Sequence, residues 1–247
     1  MTILVVGASG STGRHLVEQL LIQKHKVNVI VRSPEKLPES WINNDNLQII
    51  SASILELSDR EMSEYSRDCQ AIVLCLGHNL TWKGIYEQPR KLVTDATRRL
   101  CDAIKANKPE QAVRFILMNT TGNHNRDLNE PISFAQKCVI GLLRLLLPPH
   151  VDNEKAADYL RTQIGQKNQF IEWAAVRPDG LTNEEEVTDY EIHPSPTRSA
   201  IFNAGKTSRI NVGNFMANLI SDDDLWKKWK GQMPVIYNKS SVDKKET

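Results

Sequence analysis

The sequence predicts an α/β fold, a doubly wound, mostly parallel sheet with helices on both faces and a small C-terminal region covering one sheet edge. Three observations lead there. Short runs rich in Val and Ile alternate with longer segments of helical period, the pattern of repeated βαβ units. Most of those runs are apolar at successive positions, as expected when helices cover both sheet faces. After Pro178 the pattern gives way to an acidic, irregular stretch at residues 183–196.

Taken in order, residues 3–6 read as the first strand. A helix follows in which Leu16, Val17, Leu20 and Leu21 recur at helical spacing, with Ser11 or Thr12 near its start. Further strands are predicted at residues 26–31, 47–51, 71–76, 114–119 and 171–176, and a late one at 234–237. Residues 90–105 and 153–162 read as helices, and 61–67 as a weaker one. Pro148 and Pro149 break the chain between an apolar helix before them and the helix after. Beyond residue 183 no buried-strand signature recurs until Arg209-Ile210-Asn211-Val212, so residues 183–212 read as a partly loop-built cover over the sheet's C-terminal edge. Residues 1–238 then form one domain, and the polar residues 239–247 a mobile tail.

Composition narrows the function. The chain has 247 residues, 40% hydrophobic and 25% charged, with a net charge of +1 and interspersed signs. That balance fits a soluble globular protein and offers no surface for nucleic acid or membrane. The apolar stretch 138–147 contains Gly141 and Arg144 and falls short of the roughly 20 residues a bilayer requires. No basic segment followed by an apolar core precedes the first strand, so a cytoplasmic location is expected. The four cysteines form no C-x-x-C pair. Cys75 and Cys138 lie in apolar runs and read as buried, inert thiols. No isolated apolar stripe demands a partner, which leaves monomer and homodimer open.

The strongest chemical signal is Gly7-Ala8-Ser9-Gly10-Ser11-Thr12-Gly13, placed between the first strand and the first helix. Its glycines permit a tight turn and let backbone approach a pyrophosphate, while the helix N-terminus offers free N–H groups and partial positive charge. In that context the motif predicts a dinucleotide site. The second strand ends in Arg32-Ser33, where a site selective for NAD would carry a carboxylate to bind the ribose 2′-hydroxyl. A guanidinium grips a 2′-phosphate instead, with Arg14 and Lys36 close in sequence, so NADP(H) is favoured over NAD(H). Ser53 and Ile54, after the third strand, fall where such folds line an adenine pocket. Leu76, Gly77 and His78, after the fourth, are expected near the middle of the cofactor.

These residues, with Met118-Asn119-Thr120-Thr121 and the segment Trp173-Ala174-Ala175-Val176-Arg177-Pro178-Asp179-Gly180-Leu181-Thr182, resemble the atypical short-chain dehydrogenase/reductase superfamily in its NmrA-like, NAD(P)H-binding branch. The resemblance spans nearly the whole chain and implies a Rossmann-like fold. It implies that Asn119 lies at the cofactor and that Pro178 to Leu181, including Gly180, runs beside the nicotinamide. Thr120 or Thr121 would orient a substrate carbonyl. The superfamily's reductases use a Tyr-x-x-x-Lys pair on one helix face. Counting back from Arg177-Pro178 puts the lysine at Lys155 and the tyrosine at Val151, which has no ionisable group. His150 and Asp152 flank it. Lys155 would then hold the nicotinamide ribose or assist proton transfer through water.

Other candidates weigh less. His78, His124 and His150 lack a metal-ligand spacing, and no G-x-S-x-G is present. Trp226-Lys227-Lys228-Trp229-Lys230 follows Asp222-Asp223-Asp224 and reads as an amphipathic helix with snorkelling lysines rather than a nucleic-acid contact. Two functions remain. One is an NADP(H)-dependent oxidoreductase that delivers hydride to a small carbonyl, enone or quinone-like molecule without the tyrosine. The other is a non-catalytic NADP(H)-sensing regulatory or assembly protein.

Overall fold

The computed structural model describes residues 1–78 and 88–239. Among them ten strands form: β1 (Thr2–Val6), β2 (Lys26–Val31), β3 (Leu47–Ser51), β4 (Ala71–Leu74), β5 (Val113–Met118), β6 (Ile171–Pro178), β7 (Gly180–Thr182), β8 (Tyr190–His193), β9 (Lys206–Ser208) and β10 (Val235–Asn238). The helices are α1 (Ser11–Ile22), α2 (Glu39–Ile42), α3 (Asp59–Ser66), α4 (Leu92–Asn107), α5 (Phe134–Leu146), α6 (Pro148–Tyr159), α7 (Arg209–Ser221) and α8 (Asp223–Trp229).

Eight strands build the main sheet in the order β3-β2-β1-β4-β5-β6-β10-β8. All neighbours pair in parallel except β10 with β8, which is antiparallel. The winding reverses between β1 and β4, the position where ligands settle at the carboxyl ends of strands in open α/β sheets. The small pair β7-β9 lies apart from the main sheet.

Successive side chains of a strand point to opposite faces, and here both faces are dry. On one face Leu4, Val6, Ile72, Leu74, Phe115, Leu117 and Trp173 pack under α3, α4 and α6. On the other Ile3, Val5, Val73, Ile116, Ala174 and Val176 pack under α1, α7 and α8. This explains the continuous apolar runs of the central strands.

The structure departs from the sequence reading in five places. Arg209 to Val212 is the first turn of α7, where Ser208 caps the helix by accepting from the Asn211 N–H. The strand-like pattern arises because α7 is apolar on most sides, wedged between α1, α8 and the sheet. The acidic stretch contains β8, an edge strand that pairs with β10. Pro148 and Pro149 do not merely interrupt; they occupy the first turn of α6, where a missing N–H costs nothing. Cys138 is exposed, whereas Cys69, Cys75 and Cys101 are buried. Finally, α5 does carry an exposed apolar face, since Phe134 (82% exposed), Leu142, Leu145 (79%) and Leu146 project outward. Lys239 bonds through its N–H to the Asp189 carbonyl, and the rest of the expected tail, 240–247, lies outside the described residues.

Candidate functional site

The turn from β1 into α1 is shaped by glycines in a way the structure makes concrete. Gly7 has φ +91°, and a Cβ there would stand 2.6 Å from the Cys75 carbonyl carbon and oxygen at the end of β4. A Cβ on Gly13 would overlap the Gly7 carbonyl oxygen, so only glycine lets α1 seat against the turn. The Gly10 N–H donates to the Gly7 carbonyl at 3.1 Å and closes the turn. Helix α1 begins at Ser11 with no side-chain cap and no acidic residue in its first turn. Its leading N–H groups have no intrahelical partners and carry the positive end of the helix dipole.

Two adjoining cavities run along the carboxyl ends of the strands and share Leu76 and Gly77. The larger, about 590 Å³, is lined by Gly7, Ser9, Arg32, Ser53, Ile54 and Glu56, with Gln88 and Pro89 on its far wall. The smaller, about 350 Å³, is lined by Gly10, Ser11, Thr12, His78, Asn119, Asn153 and Arg209. Among the described residues beyond its chain neighbours, no atom lies within 4 Å of where a Gly77 Cβ would be, so a side chain there would project into the shared space. An open, side-chain-free floor beside an uncapped helix N-terminus fits an extended diphosphate.

Other expected residues serve the frame. Ser33 leads the short 3₁₀ turn Pro34–Lys36, and the Arg14 guanidinium donates to the Lys36 carbonyl at 2.6 Å. Arg14 therefore braces the loop that carries Arg32. Asn119 joins strand to helix: its side chain donates to the Asn153 carbonyl at 3.0 Å and accepts from the Thr120 N–H at 2.8 Å. Thr121 is buried and its N–H donates to the Pro178 carbonyl. The Thr120 hydroxyl accepts from the Gly122 N–H at 3.3 Å and is only partly buried. Gly180 pairs with the Gly205 carbonyl at 3.0 Å, where a Cβ would crowd the same oxygen at 2.9 Å. Pro178 and Gly180 sit at the same sheet edge but line neither cavity.

Lys155 does not reach the cleft. It is exposed on α6, and Asn153 occupies the cavity wall instead. Residues two positions apart on a helix differ by about 200° of rotation, so the side chains of Asn153 and Lys155 point away from each other. A π-helical turn, Leu160–Ile164, lies between α6 and β6.

Two buried clusters of ionisable groups stand out, one of which reaches the cleft through His78. Asp152, next to Val151 on α6, has a side chain 0% exposed and accepts from His78 Nε2 at 2.8 Å. It also accepts from the backbone N–H groups of Val93 (2.8 Å) and Thr94 (3.0 Å), which caps the start of α4. Burial opposes ionisation, but these hydrogen bonds outweigh it and hold the carboxyl below its usual value. No sequence signal links His78 to Asp152, since 74 residues separate them.

The second cluster centres on Arg177, fully buried at the end of β6. Its guanidinium donates to Glu130 Oε1 (2.7 Å) and Oε2 (3.1 Å) and to the carbonyls of Met233, Asn123 and Pro194. His124 Nδ1 stands 3.1 Å from Glu130 Oε2, a charge contact poorly aligned for a hydrogen bond. Burial pushes Glu130 up, but the His124 and Arg177 contacts and the Asn125 N–H prevail and its carboxyl lies below the usual range. Among the described residues no group of three His, Cys, Asp or Glu is placed to share an ion, and no helix is long and apolar enough to cross a membrane.

Comparison with known proteins agrees with this architecture. The chain is 28% identical over 195 residues to an uncharacterised chloroplastic protein of Arabidopsis thaliana, covering 79% of this chain and 64% of that one, so it spans less than two thirds of that relative's length. Its fold matches a Veillonella parvula short-chain dehydrogenase/reductase solved with NADP (TM-score 0.70, 15% identity, 97% and 95% of the two chains). It also matches the oxidoreductase ylbE of Lactococcus lactis (0.69, 16%, 97% and 92%) and the anaerobilin reductase ChuY of Escherichia coli O157:H7 (0.66, 17%, 96% and 97%). These likenesses share the Rossmann-like sheet. A family model described as NAD(P)H-binding matches residues 7–223, from the first glycine of the turn to the start of α8, and the chain belongs to that NAD(P)H-binding family.

Proposed function

We propose that this protein is an NADP(H)-dependent oxidoreductase of the atypical short-chain, NmrA-like type, which transfers hydride to a small carbonyl, enone or quinone-like substrate. The observation that carries the reading is the pair of cavities meeting at Gly77, with Arg32 beside one end and Asn119 and Asn153 at the other. In this reading Gly7, Ser9, Gly10, Ser11, Thr12 and Gly13 receive the pyrophosphate, and Arg32 with Ser33 receives the 2′-phosphate. Ser53 and Ile54 face the adenine, with Leu76 and Gly77 beneath the middle of the cofactor. The nicotinamide then lies toward Asn119, with Pro178 and Gly180 on the neighbouring edge. Bound NADPH supplies the hydride.

The chain's own residues shape what happens to it. Thr120, next in the chain to the cavity-lining Asn119, carries a partly buried hydroxyl that orients the substrate oxygen in this reading. Thr121 positions the loop through Pro178. Asn153, not Lys155, takes the place on α6 nearest the nicotinamide ribose. The substrate is a small molecule, and the protein works as a monomer or homodimer. The absence of an ionisable group at Val151 favours a second reading, a non-catalytic NADP(H) sensor.

The experiment measures NADPH and NADH dissociation constants for wild type and Arg32→Asp, then NADPH oxidation with a panel of quinones and aldehydes. A charge-assisted contact is worth about 1.5–3 kcal/mol, so Arg32→Asp is expected to weaken NADPH about 10- to 100-fold and NADH far less. Equal losses for both would overturn the 2′-phosphate assignment. Tight NADPH binding without oxidation above background would favour the sensor.

A further inference from the structure

We propose that His78, held by Asp152, is the proton donor that completes hydride transfer in the smaller cavity, in place of the missing tyrosine. The inference rests on the oxidoreductase reading above. Among the described residues the cavity wall contains three groups able to carry charge or exchange a proton, Cys75, His78 and Arg209, with Asp152 directly behind His78. Burial pushes the Cys75 thiol up to about 12, which removes it from proton exchange near neutral pH. A guanidinium stays charged, and Arg209 already donates to Asn183 Oδ1 at 2.7 Å. Imidazole is the side chain suited to the task at neutral pH.

The geometry around the ring is that of an oriented acid. The His78 side chain is 5% exposed and its Nε2 lies 2.8 Å from Asp152 Oδ2. Asp152 is fixed in turn by the Val93 and Thr94 N–H groups, and the Thr94 hydroxyl donates to the Asp152 carbonyl at 3.0 Å. An ionised carboxylate only accepts, so Nε2 carries a proton in both states of the ring and Nδ1 is the nitrogen that gains and loses one. This is the arrangement of an acid whose ring is aimed by a third group. With NADPH bound, the cofactor would supply a hydride to the carbonyl carbon, and the C–O π pair would move onto oxygen. That oxygen takes the Nδ1 proton of His78. The ring is left neutral and solvent reprotonates it. Asp152 is a positioning residue that also stabilises the imidazolium.

The test uses full-length wild type, His78→Gln and His78→Asn, with 4-nitrobenzaldehyde and menadione as acceptors. General acid catalysis contributes about 100- to 10,000-fold, so kcat with the aldehyde is expected to fall at least about 100-fold in both variants. The NADPH dissociation constant, read by fluorescence, should move less than about threefold. Wild-type kcat should decline toward alkaline pH, and the variants should lack that limb. Independently of turnover, ¹⁵N NMR of histidine-labelled wild type should show the neutral ring of His78 protonated at Nε2. Retention of the wild-type rate and pH limb in either folded variant overturns the assignment, as does a neutral ring protonated at Nδ1. Turnover of neither acceptor by wild type that binds NADPH overturns the oxidoreductase reading and this proposal with it.

Discussion

Replacing Glu130 by Gln asks how much of the fold's stability depends on one buried charge. The side chains of Arg177 and Glu130 are 0% and 2% exposed, and the guanidinium reaches both carboxylate oxygens. Gln keeps the shape but removes the charge and turns an –NH₂ toward a donor. Breaking a buried pair from one side costs about 3–5 kcal/mol, because the remaining charge stays buried without compensation. That is a large share of the roughly 5–15 kcal/mol typical of a folded domain. At about 2–4 °C per kcal/mol for a chain of this size, the unfolding midpoint should fall by about 6–20 °C. The assay is thermal and urea unfolding at pH 7, with the double change Glu130→Leu and Arg177→Met alongside. The double variant should recover part of the loss, since an apolar pair leaves no stranded charge. Acidification adds a second reading. Glu130 titrates below its ordinary value in the fold, so its contribution is complete above the unfolded value and is lost as pH falls through the folded one. The gap between wild type and Glu130→Gln should therefore narrow below about pH 4. A single variant within about 1 kcal/mol of wild type, or a gap that widens in acid, would refute the reasoning.

Two other outcomes follow from steric and solvent access. Gly13→Ala places a methyl group on the Gly7 carbonyl and should cost more than the few tenths of a kcal/mol of an ordinary surface change. NADPH affinity should fall with it, and an unchanged melting curve and affinity would show that the turn accommodates a side chain. Among the four thiols only Cys138 is exposed, while burial pushes Cys69 and Cys75 up to about 12. Native protein should thus titrate one thiol quickly with a disulfide reagent and four after unfolding; two or more fast thiols in the native state would contradict the packing.

The parts of this protein that the sequence announced share a physical cause. Strands covered on both faces must be apolar throughout, so β1, β4 and β5 stand out in a single sequence, and a turn that admits no Cβ must be glycine. What escaped notice depends on distance or phase. The edge strand β8 faces a helix and solvent, which leaves no continuous apolar run. Helix α7 is buried nearly all round, with Ile210, Val212, Phe215 and Met216 in the core, and its start mimics a strand because both patterns are apolar-rich. Lys155 is exposed on α6, and a residue's helical phase toward the cleft is not readable from its spacing to a later strand. His78 lies just past β4 and meets Asp152 where α6 packs against α4. The signal that could have hinted at them was Asp152 itself, a carboxylate in a helix whose neighbours Val151 and Ala156 are apolar or small.

Asp152 has one more effect, on chain topology rather than chemistry. It binds His78 on one side and Val93 and Thr94 on the other, so a single carboxylate ties the chain just past β4 to the first turn of α4. Loss of that one group would release both at once, which couples the seating of the His78 ring to the start of α4.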